Sequence, residues 1–228
     1  MQRLRVEFGR KEEVKFISHL DIVRFWHRAL RRAAIPLAYS QGFTPHPQIS
    51  VAAPLAVGVT SEAELMDVWL NRWMPAQSFM MRTKSQLPPG FEIFEVWQVG
   101  LNLPSVQSCV AFAEYRVAIE ENRMEQDLQA SLRSLLQASE LPWHHSRGDK
   151  ERFYDLRALI EDLWLMESQS VSRYVLGMRL RCDACGSGRP EQVTAALGFS
   201  MYPESIHRTR LILKTNCHCE PGKSPGSN

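Results

Sequence analysis

Residues 3–8 alternate, with Leu4, Val6 and Phe8 on one side and Arg3, Arg5 and Glu7 on the other. A period of two predicts a half-buried strand with one wet, polar face. A charged connector follows, with apolar touches at Val14 and Phe16. Ser18 then opens a helix, because Ser18 and Asp21 have the spacing of a capping box. Leu20, Val23, Trp26, Ala29, Leu30 and Ala33 follow the helical period, and Pro36 stops the run near Ala34. Residues 36–47 hold one glycine and three prolines and predict a shaped loop. Residues 48–53 and 64–70 read as strands, 75–87 as a helix and 91–99 as a strand. The order β-α-β-β-α-β is that of a ferredoxin-like unit.

The second half repeats this grammar. Residues 113–119 alternate as a strand. Residues 124–138 form a helix with Leu128, Leu132, Leu135 and Leu136 on its apolar side. Residues 153–160 and 161–166 are extended around a turn, 174–181 is a strand, 190–197 a helix with proline in its first turn, and 208–213 the last strand. The expected fold is α+β, with two tandem ferredoxin-like units, the second carrying an inserted hairpin. The expected organisation is 1–100 as a first unit with a basic first helix, 101–109 as a linker, 110–216 as a second unit and 217–228 as a cysteine-containing disordered tail.

Composition narrows the class. The chain has 228 residues, 44% hydrophobic and 23% charged, which suits a protein with a core and excludes collagen-like or disordered chains. A net charge of +2 demands no polyanionic partner by itself. Five cysteines are too sparse for a disulfide scaffold. Residues 1–7 carry no apolar signal region, and the apolar run 49–59 is broken and short of the roughly 20 residues a membrane helix needs. A cytoplasmic protein without membrane contact is expected.

Charge is nevertheless uneven. Residues 1–50 hold nine lysines and arginines against four acidic residues. Arg24, Arg28 and Arg31 share one helical face, with Arg32 beside them, and such a stripe can follow a phosphate backbone. A plain solvated helix face is the alternative. The next loop brings Tyr39, Gln41, Gly42, Phe43 and His46 together. Aromatic faces of this kind stack on unpaired bases, or Tyr39 and Phe43 simply plug the sheet. His19 and His46 are the candidate general acid and base for metal-independent RNA cleavage, provided both reach one phosphate.

Cys182 and Cys185 form a C-x-x-C, and Cys217-His218-Cys219 follows the last strand. In a ferredoxin-like unit both groups leave the same sheet edge. Cys182, Cys185, Cys217 and Cys219, or His218 in place of the last, are candidate ligands of a structural zinc ion. The alternative is four reduced thiols. Cys109 reads as packing. No iron–sulfur C-x-x-x-C-x-x-C, Walker loop, G-x-G-x-x-G or G-x-S-x-G occurs, so catalysis by the chain alone is not expected. His144 and His145 beside Trp143 read as loop, and Asp155 with Arg157 as an ion pair on a strand.

The runs Phe16-Ile-Ser-His-Leu-Asp21, Ala29-Leu-Arg-Arg-Ala33 and Tyr39-Ser-Gln-Gly-Phe-Thr-Pro-His-Pro47, with Gly58-Val59, resemble the radical SAM-linked proteins. This is a bacterial family with a domain of unknown function. Tyr154-Asp-Leu-Arg157, Gly188-Arg-Pro190 and Arg208 extend the likeness more loosely. The resemblance implies an accessory or substrate-presenting subunit that acts in trans with a cobalamin-binding radical SAM protein, with RNA as substrate. Ser18, His19 and Asp21 would then fix the loop–helix junction, and Tyr39, Gln41, Gly42, Phe43 and His46 would shape the substrate or partner pocket. Two alternatives stand beside it: an endoribonuclease of the tandem ferredoxin-like, repeat-cleaving kind, and a zinc-stabilised protein-interaction module.

Overall fold

The computed structural model describes residues 1–147, 150–170 and 172–215. Among them the fold is mixed α+β, built on antiparallel strands with few helices. Two units are distinguished. One comprises Met1–Val110 with the chain from Leu213 onward, the other Ala111–Ile212.

The first unit contains β1 (Gln2–Arg10), α1 (His19–Arg32), β2 (Ile49–Val51), β3 (Thr60–Leu70), α2 (Ala76–Lys84), β4 (Phe91–Val99) and the short α3 (Val106–Cys109). The strands lie in the order β2-β3-β1-β4, every neighbour antiparallel. Leu4, Val6 and Phe8 point inward and are fully buried, as the alternation predicts. They meet Trp26 and Leu30 of α1 and Phe79 of α2 in one cluster. Phe8 and Trp26 pack edge-to-face at 4.9 Å, and Phe25 stacks on Phe91 at 4.3 Å. Such ring pairs add about 0.5–1.5 kcal/mol each beyond the area they bury.

The polar face of β1 is not wet, contrary to expectation. Arg3 and Arg5 are 1% exposed. Residues 101–109, expected as a linker, fold over them and bury Val106 and Cys109. Arg3 donates to the carbonyls of Leu103 and Pro104, each at 2.6 Å, and Asp67 of β3 pairs with both guanidinium groups. Period-two alternation distinguishes two faces but says nothing of what later covers each.

Ser18 caps α1, its Oγ accepting the Asp21 N–H at 3.3 Å while its hydroxyl donates to Asp21 Oδ2 at 2.7 Å. The buried face is Ile22, Trp26, Ala29 and Leu30. Leu20, expected on that face, is 67% exposed, and Val23 is only half-buried. The helix rolls to seat Trp26, and Leu20 falls outside the resulting stripe. At the other end the Ile35 N–H bonds the Leu30 carbonyl at 3.1 Å and the Ala34 N–H the Arg31 carbonyl at 3.0 Å. That is a Schellman turn with Ala34 at φ 52°, a position that favours glycine.

The second unit contains β5 (Val110–Glu120), α4 (Glu125–Gln137), β6 (Pro142–Arg147), β7 (Lys150–Asp155), β8 (Ile160–Ser170), β9 (Arg173–Asp183), β10 (Gly186–Ser187), α5 (Pro190–Ala196) and β11 (Ser205–Leu213). β9 pairs with β5, β8 and β10, and β5 neighbours β11. Ala113, Tyr115, Val117 and Ile119 alternate inward along β5, and Leu128, Leu132 and Leu135 of α4 are buried. On the opposite face of β5, Glu114 accepts from Arg179 of β9 at 2.7 and 2.9 Å.

The inserted hairpin is β6–β7, earlier in the chain than the extended residues 153–166 suggested. His144 and His145, read as loop, lie in β6. Asp155 and Arg157 are not an ion pair on a strand. Asp155 accepts the N–H groups of Leu141 and Arg157 at 2.8 and 2.9 Å, while the Arg157 guanidinium donates to the carbonyls of Leu136 and Ile160. Each side chain satisfies backbone groups that a tight turn leaves over. The expected tail, with Cys217, His218 and Cys219, lies outside the described residues. Among those described, no helix is long and apolar enough to cross a membrane.

Candidate nucleic-acid interface

The solvent face of α1 carries Arg24, Arg28, Arg31 and Arg32, all exposed. Burial of Trp26 on one side of the helix dictates this, because the arginines fall on the opposite arc. Arg24 is held by Asp21 at 3.2 Å, and Arg32 reaches the Gln86 carbonyl at 3.3 Å, just past the end of α2. Arg28 and Arg31 have no ion-pair partner among the described residues. The Asp21 carboxyl is held below its ordinary value, first by the Ser18 hydroxyl and then by Arg24, so the cap stays ionised.

The loop after α1 is tied at its neck. The Ser40 N–H donates to the His46 carbonyl at 2.8 Å, the His46 N–H to Ser40 Oγ at 3.0 Å, and the Gln48 N–H to the Ala38 carbonyl at 2.8 Å. Gly42, at φ 136°, lets the tip turn back on itself. Residues 41–46 are all exposed. Phe43 is fully in solvent and Tyr39 is 44% exposed, so neither plugs the sheet. Two aromatic faces and the Gln41 amide therefore stand open on the loop that follows the arginine-bearing helix, a combination that suits stacked bases on a charged strand.

The connection between loop and helix is one that the sequence reading missed. His46 acts electrostatically on His27 of α1. The half-buried His27 imidazole is held below its ordinary value, first by burial, then by the positive potential of His46 and Arg31. His27 lies three residues after Arg24 and four before Arg31, so helical spacing already placed it at the rim of the basic face.

His19 is elsewhere. It is the first residue of α1, half-buried, and sits two turns before His27, roughly 12 Å along the axis at 1.5 Å per residue. Ser18 and Asp21 serve the helix cap.

Cys182 is 8% exposed in β9, while Cys185 is exposed on the β9–β10 turn, where Asp183 accepts the Cys185 N–H at 2.8 Å. The other candidate ligands, Cys217, His218 and Cys219, lie outside the described residues. Among the described residues no group of three or more histidine, cysteine or acidic side chains is placed to hold a metal.

Comparison with curated proteins gives no match. Among solved structures, the chain is similar to one in the crystal structure of a Cbf5-Nop10-Gar1 complex, at 10% identity and a TM-score of 0.54, covering 91% of this chain and 48% of that one. A chain in the archaeal box H/ACA sRNP Nop10-Cbf5 complex matches at 10% identity and a TM-score of 0.47, with 91% and 47% covered. The chain thus spans about half the length of the solved chains it matches. At 10% identity the first likeness shows a shared mixed α+β fold and nothing of substrate. Residues 3–190 match a family model, and the chain belongs to that family, described as uncharacterized protein conserved in bacteria (DUF2344).

Proposed function

We propose that this chain binds single-stranded RNA along the exposed face of α1 and the loop 39–47. In that role it presents the strand to a cobalamin-binding radical SAM enzyme that acts in trans. The observation that carries the RNA part is that exposed Arg28 and Arg31, without ion-pair partners among the described residues, precede a tied loop whose residues 41–46 are exposed and whose His46 bears electrostatically on His27. Guanidinium groups bind phosphate and open rings stack on bases. The partner rests on the resemblance of residues 16–59 to the radical SAM-linked proteins. The β-α-β-β-α-β order of residues 1–100, with strands in the order β2-β3-β1-β4, supports a ferredoxin-like assignment for the first unit.

The test is ultraviolet crosslinking of the tagged chain in its own cells, with sequencing of attached RNA. Arg28→Glu/Arg31→Glu serves as control, since both side chains are exposed and the fold does not use them. A discrete RNA, lost in the variant, is expected. RNA no higher than background would remove the RNA part. Co-purification of a radical SAM protein with the wild-type chain tests the partner separately.

A further inference from the structure

We propose that the β6–β7 hairpin is a docking site for an arginine side chain of a protein partner. The hairpin forms its own two-stranded sheet in the second unit. Its register pairs Trp143 with Tyr154, His144 with Phe153 and Pro142 with Asp155. Alternation puts Pro142, His144, Phe153 and Asp155 on one face and Trp143 and Tyr154 on the other. The second face is anchored, because the Tyr154 hydroxyl donates to Gln192 Oε1 of α5 at 2.7 Å. The first face is open.

On that open face His144 and Phe153 are stacked, ring centroids 4.6 Å apart and planes 18° from parallel. Phe153 is 75% exposed, although it is among the largest apolar side chains in the unit. The stacked pair borders a groove of about 510 Å³ that wraps the hairpin edge, lined also by Glu140, Pro142 and Asp155 and by Trp143 and Tyr154 of the second face. The lining contains two carboxylates and no lysine or arginine. A third carboxylate, that of Glu151, lies 3.7 Å from His144 Nε2.

These features select the guest. A flat aromatic platform attracts a planar group, and its negative face attracts a cation. Carboxylates at the rim reward positive charge and repel phosphate. Both a nucleobase and a guanidinium stack on such a platform, but only the guanidinium brings a positive charge to Glu140 and Asp155. Asp155 Oδ1 is already committed to the N–H groups of Leu141 and Arg157, which fixes the carboxylate at the edge of the groove. The site involves none of the residues of the RNA proposal, so either can fail alone.

The experiment is calorimetric titration of the full chain with the peptide Gly-Ser-Arg-Gly-Arg-Gly-Ser, and with the same peptide carrying citrulline for arginine. Citrulline keeps the planar urea-type group and loses the charge. Binding of the arginine peptide, weakened about tenfold by citrulline, is expected. Phe153→Ala and Glu140→Gln should each weaken it by a similar factor, while Phe153→Tyr, which keeps the platform, should retain it. Uridine monophosphate is the opposing probe. Equal affinity for the citrulline peptide, loss of no affinity in Glu140→Gln, or tighter binding of uridine monophosphate than of the peptide would each overturn the assignment, the last in favour of a nucleobase site. Absence of any arginine-peptide binding at millimolar concentration would also overturn it.

Discussion

Arg5 and Asp67 face each other across β1 and β3, and the carboxylate takes the guanidinium with both oxygens, at 2.8 and 3.2 Å. The same carboxylate binds Arg3 and accepts the Val106 N–H at 2.9 Å. One side chain thus holds two buried cations and pins the segment 101–109 onto the sheet.

Asp67→Ala should therefore be among the most damaging single changes in the first unit. It strands two guanidinium groups that are each 1% exposed. Breaking a buried pair in this way costs about 3–5 kcal/mol. Urea denaturation measures it, and a loss below about 1 kcal/mol would show that the cluster is solvated in solution.

In the second unit, Gly177 of β9 lies opposite Trp164 of β8. A Cβ added at Gly177 would overlap the indole ring. Gly177→Ala should cost about 1–3 kcal/mol by overpacking. Trp164→Leu in the same chain should return part of that loss, because it empties the space the methyl needs. Non-additivity in the double-mutant cycle is the diagnostic reading.

Ala34→Gly should stabilise the chain. Ala34 closes α1 at φ 52°, where a Cβ is penalised by roughly 1–2 kcal/mol. Glycine's greater freedom in the unfolded chain offsets part of the relief, leaving a gain of about 0.5–1 kcal/mol. The thermal midpoint should rise, and Ala34→Val should lower it.

Glu7 and Glu95 are directly opposed across β1 and β4. Burial first, and then the Glu95 charge, raise the Glu7 carboxyl above its ordinary value of 4.5. The folded state therefore holds that proton more tightly than the unfolded chain does. Stability from this group falls as pH rises from about 4.5 through the raised value, and is level above it. Glu7→Gln should gain less than about 1 kcal/mol at pH 7 and nothing at pH 3. An equal gain at both would assign the effect to packing instead of charge.

For the RNA reading, the salt dependence of binding is quantitative. Each phosphate contact on a single strand contributes about 0.7 to the slope of log affinity against log salt. Arg28→Gln/Arg31→Gln should flatten that slope by about 1.4. Fluorescence anisotropy with labelled oligouridine, titrated at several salt concentrations, gives both slopes. Weaker binding with an unchanged slope would mean that the arginines act by shaping the surface.

By itself the sequence determined the order of elements in residues 1–100, the Ser18 cap, the bounds of β4 and the inward set Leu4, Val6 and Phe8. All of these depend on local period or on neighbours a few residues apart, and such signals survive in one dimension. The basic face of α1 was equally legible, since helical spacing alone gathers Arg24, Arg28 and Arg31. Only the tertiary structure decided that Arg3 and Arg5 are buried, because their cover comes about 100 residues later in the chain. It also decided that Leu20 rolls outward, that Phe43 stands in solvent and that His46 bears electrostatically on His27. Each of these depends on which surfaces compete for the same core, and periodicity carries no information about that competition. The hairpin β6–β7 was misplaced for a related reason. Its strands stand outside the main sheet, so Pro142–Arg147 lacks the clean alternation that one buried face would impose.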